Sequence, residues 1–503
     1  MEAKTKVLIP FMLWNVGTRF ETMLNAPPST NGMWRITLLA AMVISALAGS
    51  VDATSTGRLN VLLIVADDMN NDLGCYGHPR VRSPHIDRLA HRGMRFDRAY
   101  CQVTVCNPSR VSFLSGLRPD KTQVFTLLEE TRSHLGDWVM LPEYFRHNGY
   151  LAVQVGKIYH TKDGYEDPRS WDIEIREFGK RPPVEEIIQG DDPDGPGEHT
   201  NDWSWLKTPD EKTPDGMVAR RAAEIMAEAV RDGKPFFLGA GFRRPHAPFA
   251  APKKYFDLYP TDTIELRPEV PDGHYENLPP AAVNYTAPDR PLAEQQQREL
   301  IAAYYACNSF VDAQVGVLLD AVDQLNLWTN TIIVFVSDHG YHLGEHDGFW
   351  HKLSLFEESA RVPMVIHAPG MKAAGKSCNS LVELLDLYPT LAQWAGLAVP
   401  EGLDGSDLAP LLDDPTQSVK QAAHTVIARS DKPDANHAKH RSYLGRSVRS
   451  DRWRYTEWDE GRRGAELYDH QQDPRELVNL ADDPDHSEAR QRLRQLIVSA
   501  QAE

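Results

Sequence analysis

Asn60-Val61-Leu62-Leu63-Ile64-Val65-Ala66 runs straight into Asp67-Asp68. An unbroken apolar, largely β-branched run of this length reads as a strand buried on both faces, the kind found in parallel sheets. Similar runs recur at Leu151–Val155, Pro235–Ala240, Thr331–Val336 and Pro363–His367. Between them lie Met217–Arg231 and Ala293–Leu325, whose apolar residues recur at three- and four-residue spacing, the mark of amphipathic helices. Strand and helix in alternation predict an α/β fold with a mostly parallel sheet. In such sheets ligands bind beyond the carboxyl ends of the strands. Polar clusters stand at three of those ends: Asp67 and Asp68, then Asp338 and His339, and Arg243, Arg244 and His246 after Phe236–Ala240. Two acidic pairs brought together would supply the oxygens that hard cations such as calcium prefer. Taken alone, an Asp-Asp after a strand is more often a turn or a helix cap.

Working outward, Gly190–Pro214 is rich in Asp, Gly, Pro and Thr, and Tyr259–Arg290 is rich in Pro. Both read as long irregular loops, which in a compact domain tend to be functional or mobile. The character changes near Pro415: Ser442–Trp458 suggests short antiparallel strands, and Glu488–Val498 a final amphipathic helix. The expected division is an extension with a signal peptide over residues 1–53, a catalytic domain over 55–415, and a smaller C-terminal α+β domain over 416–503. No internal repeat is evident.

Of the 503 residues, 41% are hydrophobic and 25% charged, the balance of a globular protein. A formal net charge of -17 argues against nucleic acid as a partner, because neutralising phosphates needs clustered Lys and Arg. A focused basic pocket for a small anion remains compatible with it. Met33-Trp34-Arg35, the apolar run Ile36–Leu47 and the ending Ala46-Leu47-Ala48 have the parts of a secretory signal peptide. A second candidate cleavage point follows Val51-Asp52-Ala53. The run is shorter than the ~20 residues a membrane-spanning helix needs, so a secreted or periplasmic protein without stable membrane insertion is expected. Translation is expected to start at Met33. The five cysteines are Cys75, Cys101, Cys106, Cys307 and Cys378. An odd number in an exported chain leaves at least one unpaired within the monomer.

The segment Cys106-Asn107-Pro108-Ser109-Arg110-Val111-Ser112 carries the chemistry. Pro108 suits a first helical turn and Val111 to Leu114 continue it, which puts Cys106 near a helix N-terminus. There backbone N–H groups and the helix dipole favour negative charge. A buried cysteine before an ordinary helix would read the same way.

Cys106-x-Pro108-Ser109-Arg110 resembles the C-x-P-S-R signature of type I sulfatases, whose cysteine is oxidised to formylglycine. CNPSRVSFLSGLRPD (106–120) and LPEYFRHNGYLAVQVGKIYH (141–160) resemble the iduronate-2-sulfatase-like branch of that family. The strand-ending Asp67-Asp68, GFRRPHAPF (241–249), SDHGYHLGEH (337–346) and LYDHQQDPRELVNL (467–480) follow the family's order from about Leu59 to the C-terminus. The resemblance implies an alkaline-phosphatase-like fold, a mostly parallel sheet sandwiched by helices, and one bound Ca2+. Asp67, Asp68, Asp338 and His339 fall where the family lines its metal site. Cys106, as formylglycine hydrate, would be the nucleophile and also touch the metal, and Arg110 would hold the hydrate. Lys157 and Lys352 fall at sulfate-binding positions, His160 would serve the hydrate, and His246 the leaving-group oxygen. His342, His346 and His351 read as structural or substrate-facing, and Tyr341 and His342, just past the metal residues, are candidates to contact sugar. Many sulfatases space the lysine and histidine as K-x-H, whereas Lys157-Ile158-Tyr159-His160 has the iduronate-type spacing. The segment between His339 and Lys352 is about one residue longer than usual.

The implied reaction is hydrolysis of O-sulfate esters on a sulfated glycan, an oligosaccharide or polysaccharide carrying a 2-O-sulfated uronate. A formylglycine-generating enzyme would be the partner in maturation. One alternative is a phosphomonoesterase or phosphodiesterase of the same superfamily. Such enzymes commonly use Ser or Thr as nucleophile and two metals, against the cysteine and single cluster seen here. A non-catalytic exported glycan-binding protein is the other, and would be expected to have lost part of this set.

Overall fold

The computed structural model describes residues 57–161, 164–176, 187–189, 203–283, 292–431 and 440–502. The candidate signal segment 33–48 and most of the loop Gly190–Pro214 lie outside them. Residues 56–503 form one compact unit. Its strands are β1 (Asn60–Asp67), β2 (Met94–Tyr100), β3 (Leu151–Gly156), β4 (Ile173–Ile175), β5 (Ile187–Gln189), β6 (Trp203–Leu206), β7 (Phe236–Pro245) and β8 (Phe249–Pro252). They continue with β9 (Thr331–Ser337), β10 (Arg361–His367), β11 (Lys376–Glu383), β12 (Ala423–Arg429), β13 (Tyr443–Arg449), β14 (Trp453–Trp458) and β15 (Ala465–Asp469).

Eight strands form the main sheet in the order β11-β2-β10-β9-β1-β7-β3-β4. Pairing is parallel throughout except on either side of β10, which is antiparallel to both β9 and β2. The expected parallel sheet is therefore present with one reversed strand, the run read as Pro363–His367. Its reversal has a consequence for the site, because the chain enters β10 from the edge where the other strands end.

Every residue of β1 is buried, and its side chains alternate between two cores. Leu62, Ile64 and Ala66 face a layer built on helices α1 (Pro84–Arg92), α4 (Pro214–Arg231) and α5 (Glu294–Gln324). Val61, Leu63 and Val65 face a layer built on α2 (Cys106–Ser115), α3 (Leu141–His147) and α6 (Leu387–Trp394). Each such Val, Leu or Ile stabilises the fold by roughly 1.5–3 kcal/mol. The sequence also explains where α4 begins: the Thr213 hydroxyl accepts the Gly216 N–H, and Pro214 occupies the first turn.

The C-terminal segment forms an antiparallel four-stranded sheet, β12-β13-β14-β15, with the final helix α7 (Ser487–Ala502) packed against it through Leu493 and Ile497. The Pro-rich stretch Tyr259–Arg290 carries short helical turns at Thr261–Thr263 and Tyr275–Asn277 and a short helix at Pro280–Val283; 284–290 lie outside the described residues.

Candidate active site

Register assembles the site. Ala66 of β1 pairs with Ser337 of β9, so Asp67 and Asp338 leave neighbouring strands at the same level. On the other side Asp67 pairs with Pro245, one residue before His246. The expected end of that strand at Ala240 extends to Pro245, so Arg243 and Arg244 lie within it. His246 stands between two cis X–Pro bonds, Arg244–Pro245 and Ala247–Pro248. Further along the edge, Gly156 of β3 pairs with Gly241 of β7, and a Cβ on either would strike the other segment's backbone. Only glycines let β3 turn there, at a positive φ of 78° for Gly156, and send Lys157 back toward β1. Its ammonium bonds the Asp67 carboxylate. Beyond β2, α2 starts at Cys106, and the loop leading into the reversed β10 brings Lys352.

Cys106 is buried, with its Sγ 3.3 Å from His339 Nε2, 3.4 Å from Lys352 Nζ and 3.8 Å from Asp68 Oδ1. Lys352 Nζ also donates to both Asp68 oxygens at 2.7 and 2.8 Å. One nitrogen of His246 converges with Asp67, Asp68 and Cys106, their ligand atoms all within 4.8 Å of one another. His160 lies beside Tyr165, with its Nδ1 buried and without a hydrogen-bond partner among the described residues.

Arg110, expected to hold the hydrate, also binds the acids themselves. Its Nε donates to Asp338 at 2.8 Å, its NH2 group to Asp67 at 3.2 Å, and its NH1 group to the carbonyls of Lys157 and Ile158 at 2.6 and 3.0 Å. These four bonds occupy four of the five guanidinium N–H groups and fix two carboxylates from different strands. Arg110 is thus first a brace for the acidic cluster, with one N–H left over.

The electrostatics follow from burial among these charges. Burial alone would raise the Asp67 carboxyl, but Lys157, His246 and Arg110 outweigh it and hold it well below the usual range. Asp68 is likewise drawn down, against its burial, by His246, Lys352 and His339. Burial and the Asp67 charge push the Cys106 thiol up, against Lys157 and Lys352. An unmodified thiol at this position stays protonated at neutral pH and is a poor nucleophile. Burial lowers His246 to about 4, and burial with Lys157 lowers His160 to about 3, so both are neutral at pH 7.

His339 tests whether the cluster suits a cation. Its Nδ1 lies 2.9 Å from the Gly340 carbonyl and its Nε2 3.3 Å from an Asp68 oxygen, so the ring is fixed with one nitrogen turned into the acidic cluster. Asp67, Asp68 and Asp338 bring three buried carboxylates to the same place, the donor type a hard cation takes. Asp67, Cys106, Asp338 and His339 converge within 4.8 Å, offering two carboxylate oxygens, a sulfur and an imidazole nitrogen; formylglycine in place of the cysteine would replace the sulfur with oxygen, the ligand hard cations take.

Tyr341 and His342, the candidates to meet sugar, are both buried. Tyr341 stacks on Tyr304, while His342 lies 2.7 Å from the Ser354 hydroxyl and has Glu345 and Glu358 within 4 Å. Ser337 joins the site without having been expected there: its hydroxyl accepts the Met69 N–H at 2.8 Å and donates to the His339 carbonyl at 2.8 Å. Its place in the motif Ser337-Asp338-His339 was the signal available.

A model of the sulfatase family matches residues 59–397, and one described as N-sulphoglucosamine sulphohydrolase, C-terminal, matches residues 344–503. Human iduronate 2-sulfatase is 37% identical over 428 residues, covering 74% of this chain and 76% of that one. A delta 4,5-hexuronate-2-O-sulfatase of Bacteroides thetaiotaomicron is 29% identical over 458 residues, covering 88% of each. Among solved structures, the phosphonate monoester hydrolase of Agrobacterium radiobacter superposes with a TM-score of 0.74 at 23% identity, covering 88% of this chain and 96% of that one. At that identity the likeness shows the shared alkaline-phosphatase-like fold.

Proposed function

The chain belongs to the sulfatase family and hydrolyses sulfuric esters, and from that premise we propose that it removes the 2-O-sulfate of a uronate in a sulfated glycan. The observation that carries this reading is the placement of Cys106, at the start of α2, against Lys352 and His339 and within a buried carboxylate cluster that also holds His246. The relatives acting on iduronate and hexuronate 2-sulfates supply the substrate class.

Formylglycine at position 106 supplies, as its hydrate, a hydroxyl to attack sulfur and a second through which sulfate is released. A bound cation, Ca2+ on this reading, would offset the charge of the sulfate during transfer. Asp67, Asp68, Asp338 and His339 would hold it. Lys157 and Lys352, whose ammonium groups bond the carboxylates of Asp67 and Asp68, would offer their positive charge to the sulfate oxygens. The remaining Arg110 N–H is available to the hydrate. His160, neutral at pH 7 with an unpartnered Nδ1, is suited to take a hydroxyl proton. His246, neutral at pH 7, keeps its one proton on Nδ1, 2.6 Å from the Ala247 carbonyl, so its Nε2 would first take up a proton from water and then pass that proton to the leaving oxygen.

The segment 33–48 would export the chain, and a formylglycine-generating enzyme would modify it on the way. No helix among the described residues is long and apolar enough to cross a membrane. Defined sulfated oligosaccharides test the substrate: sulfate release from a 2-O-sulfated uronate supports the assignment, and release only from other sugars overturns it.

A further inference from the structure

We propose that Tyr304, on α5, is a positioning residue for the metal site, acting through the backbone of Asp68. Asp68 has a positive φ of 68°, a left-handed conformation that non-glycine residues seldom adopt and that has to be held by its surroundings. The Tyr304 hydroxyl holds it from both sides. It donates to the Asp68 carbonyl at 2.7 Å and accepts the Asn70 N–H at 2.8 Å. The turn is clasped again where the Asp68 N–H donates to Asp338 Oδ1 at 3.1 Å, so the hydroxyl and a second acidic residue together set where the Asp68 carboxylate points.

Tyr304 is itself rigid. It is fully buried, its helix spans 31 residues, and its ring stacks on Tyr341 at 5.6 Å and meets Phe249 edge-on at 5.4 Å. A phenol so placed has no path to a substrate and touches no ligand atom. Its one polar task is the Asp68 turn. Groups that orient metal-binding side chains in this way typically cost 10–100-fold in metal affinity when removed.

This inference rests on the reading of the carboxylate cluster as a cation site. The test is calorimetric titration of Ca2+ into chelator-treated protein carrying the unmodified Cys106, comparing wild type, Tyr304→Phe and Tyr259→Phe. Tyr259 is the matched control: its buried hydroxyl accepts the Arg82 N–H at 2.8 Å, away from the cluster. The expected result is a 10–100-fold weaker Ca2+ affinity for Tyr304→Phe, unchanged affinity for Tyr259→Phe, and activity of the modified Tyr304→Phe enzyme restored by raised Ca2+. Equal affinities for all three proteins overturn the role of Tyr304 alone. A wild type that binds no Ca2+ overturns the cation reading and this inference with it. Should Tyr304→Phe not fold, Tyr304→Leu, which also removes the hydroxyl, gives the comparison through its Ca2+-dependent rise in melting temperature: a smaller rise than in the wild type supports the role, and an equal rise overturns it.

Discussion

Two buried clusters in this molecule look alike on paper and behave differently. At the carboxyl edge of the main sheet are Asp67, Asp68, Asp338, His339 and Arg110. At the seam between the main and C-terminal sheets are Glu357, Glu476, His470 and Arg454 on β14. Each mixes carboxylates, an imidazole and a guanidinium, and each brings at least three ligand-type atoms within 4.8 Å of one another. In the seam all four glutamate oxygens are answered: Arg454 donates to both residues, the Tyr100 hydroxyl to Glu357 at 3.0 Å, the Glu357 N–H to Glu476 at 2.9 Å, and His470 lies 2.7 Å from Glu476. At the edge the carboxylate oxygens are answered as well, by Arg110, Lys157, Lys352 and two backbone N–H groups, but there a cysteine at a helix start sits against an ammonium and among the acids. Composition and satisfied bonds do not separate a weld from a reactive centre. The cysteine held among the charges does.

The comparison predicts that edge substitutions remove activity and seam substitutions remove stability. The largest effect is expected for Cys106→Ala, with sulfate release down by about 10⁴-fold or more and the urea midpoint unchanged. His246→Gln should lower kcat by ~10²–10⁴-fold, again without moving the midpoint. Arg454→Met leaves two buried carboxylates facing each other and should cost about 3–5 kcal/mol in urea unfolding, while the folded fraction keeps the wild-type kcat. A variant of Arg454 with normal stability and lost activity would break the distinction.

The smallest effect is a pH dependence of the seam. Burial would raise Glu476, but Arg454 and His470 outweigh it and hold the carboxyl at about 2. Below the unfolded value of 4.5 the unfolded chain takes up a proton that the folded one refuses. The stability is therefore complete above pH 4.5 and lost as the pH falls toward 2, by ~3 kcal/mol at most. Urea titrations between pH 6 and 2.5 measure the slope, and Glu476→Gln should flatten it.

The legible part of the fold was the part with predominantly apolar runs. β1, β3, β7 and β9 lie inside the sheet and bury both faces over most of their length, so apolar residues dominate them, with Gln154 in β3 and Arg243 and Arg244 at the end of β7 among the polar exceptions. β2, Met-Arg-Phe-Asp-Arg-Ala-Tyr, and β11, Lys-Ser-Cys-Asn-Ser-Leu-Val-Glu, lie toward one margin, where half-buried polar residues interrupt the pattern. The reversal of β10 had no local signal, because direction is set by neighbours and not by the run itself. In the site, the strand-end acids, the cysteine motif and both lysines were legible from their positions and the family's spacing. The bracing by Arg110 and the clasp of Tyr304 were not. Both depend on register between strands and a helix some 230 residues away in sequence, and a tyrosine amid Ile301, Ala302 and Ala303 reads as core.

Mass spectrometry of the tryptic peptide Ala99–Arg110, from protein made with a formylglycine-generating enzyme, tests the central claim most directly. Cys101, buried beside the Ser359 carbonyl and outside the motif, is the internal control. Conversion of Cys106 alone to the aldehyde, with Cys101 still an alkylatable thiol, is the predicted result. A Cys106 that stays a thiol while the same enzyme converts a known target would contradict the account.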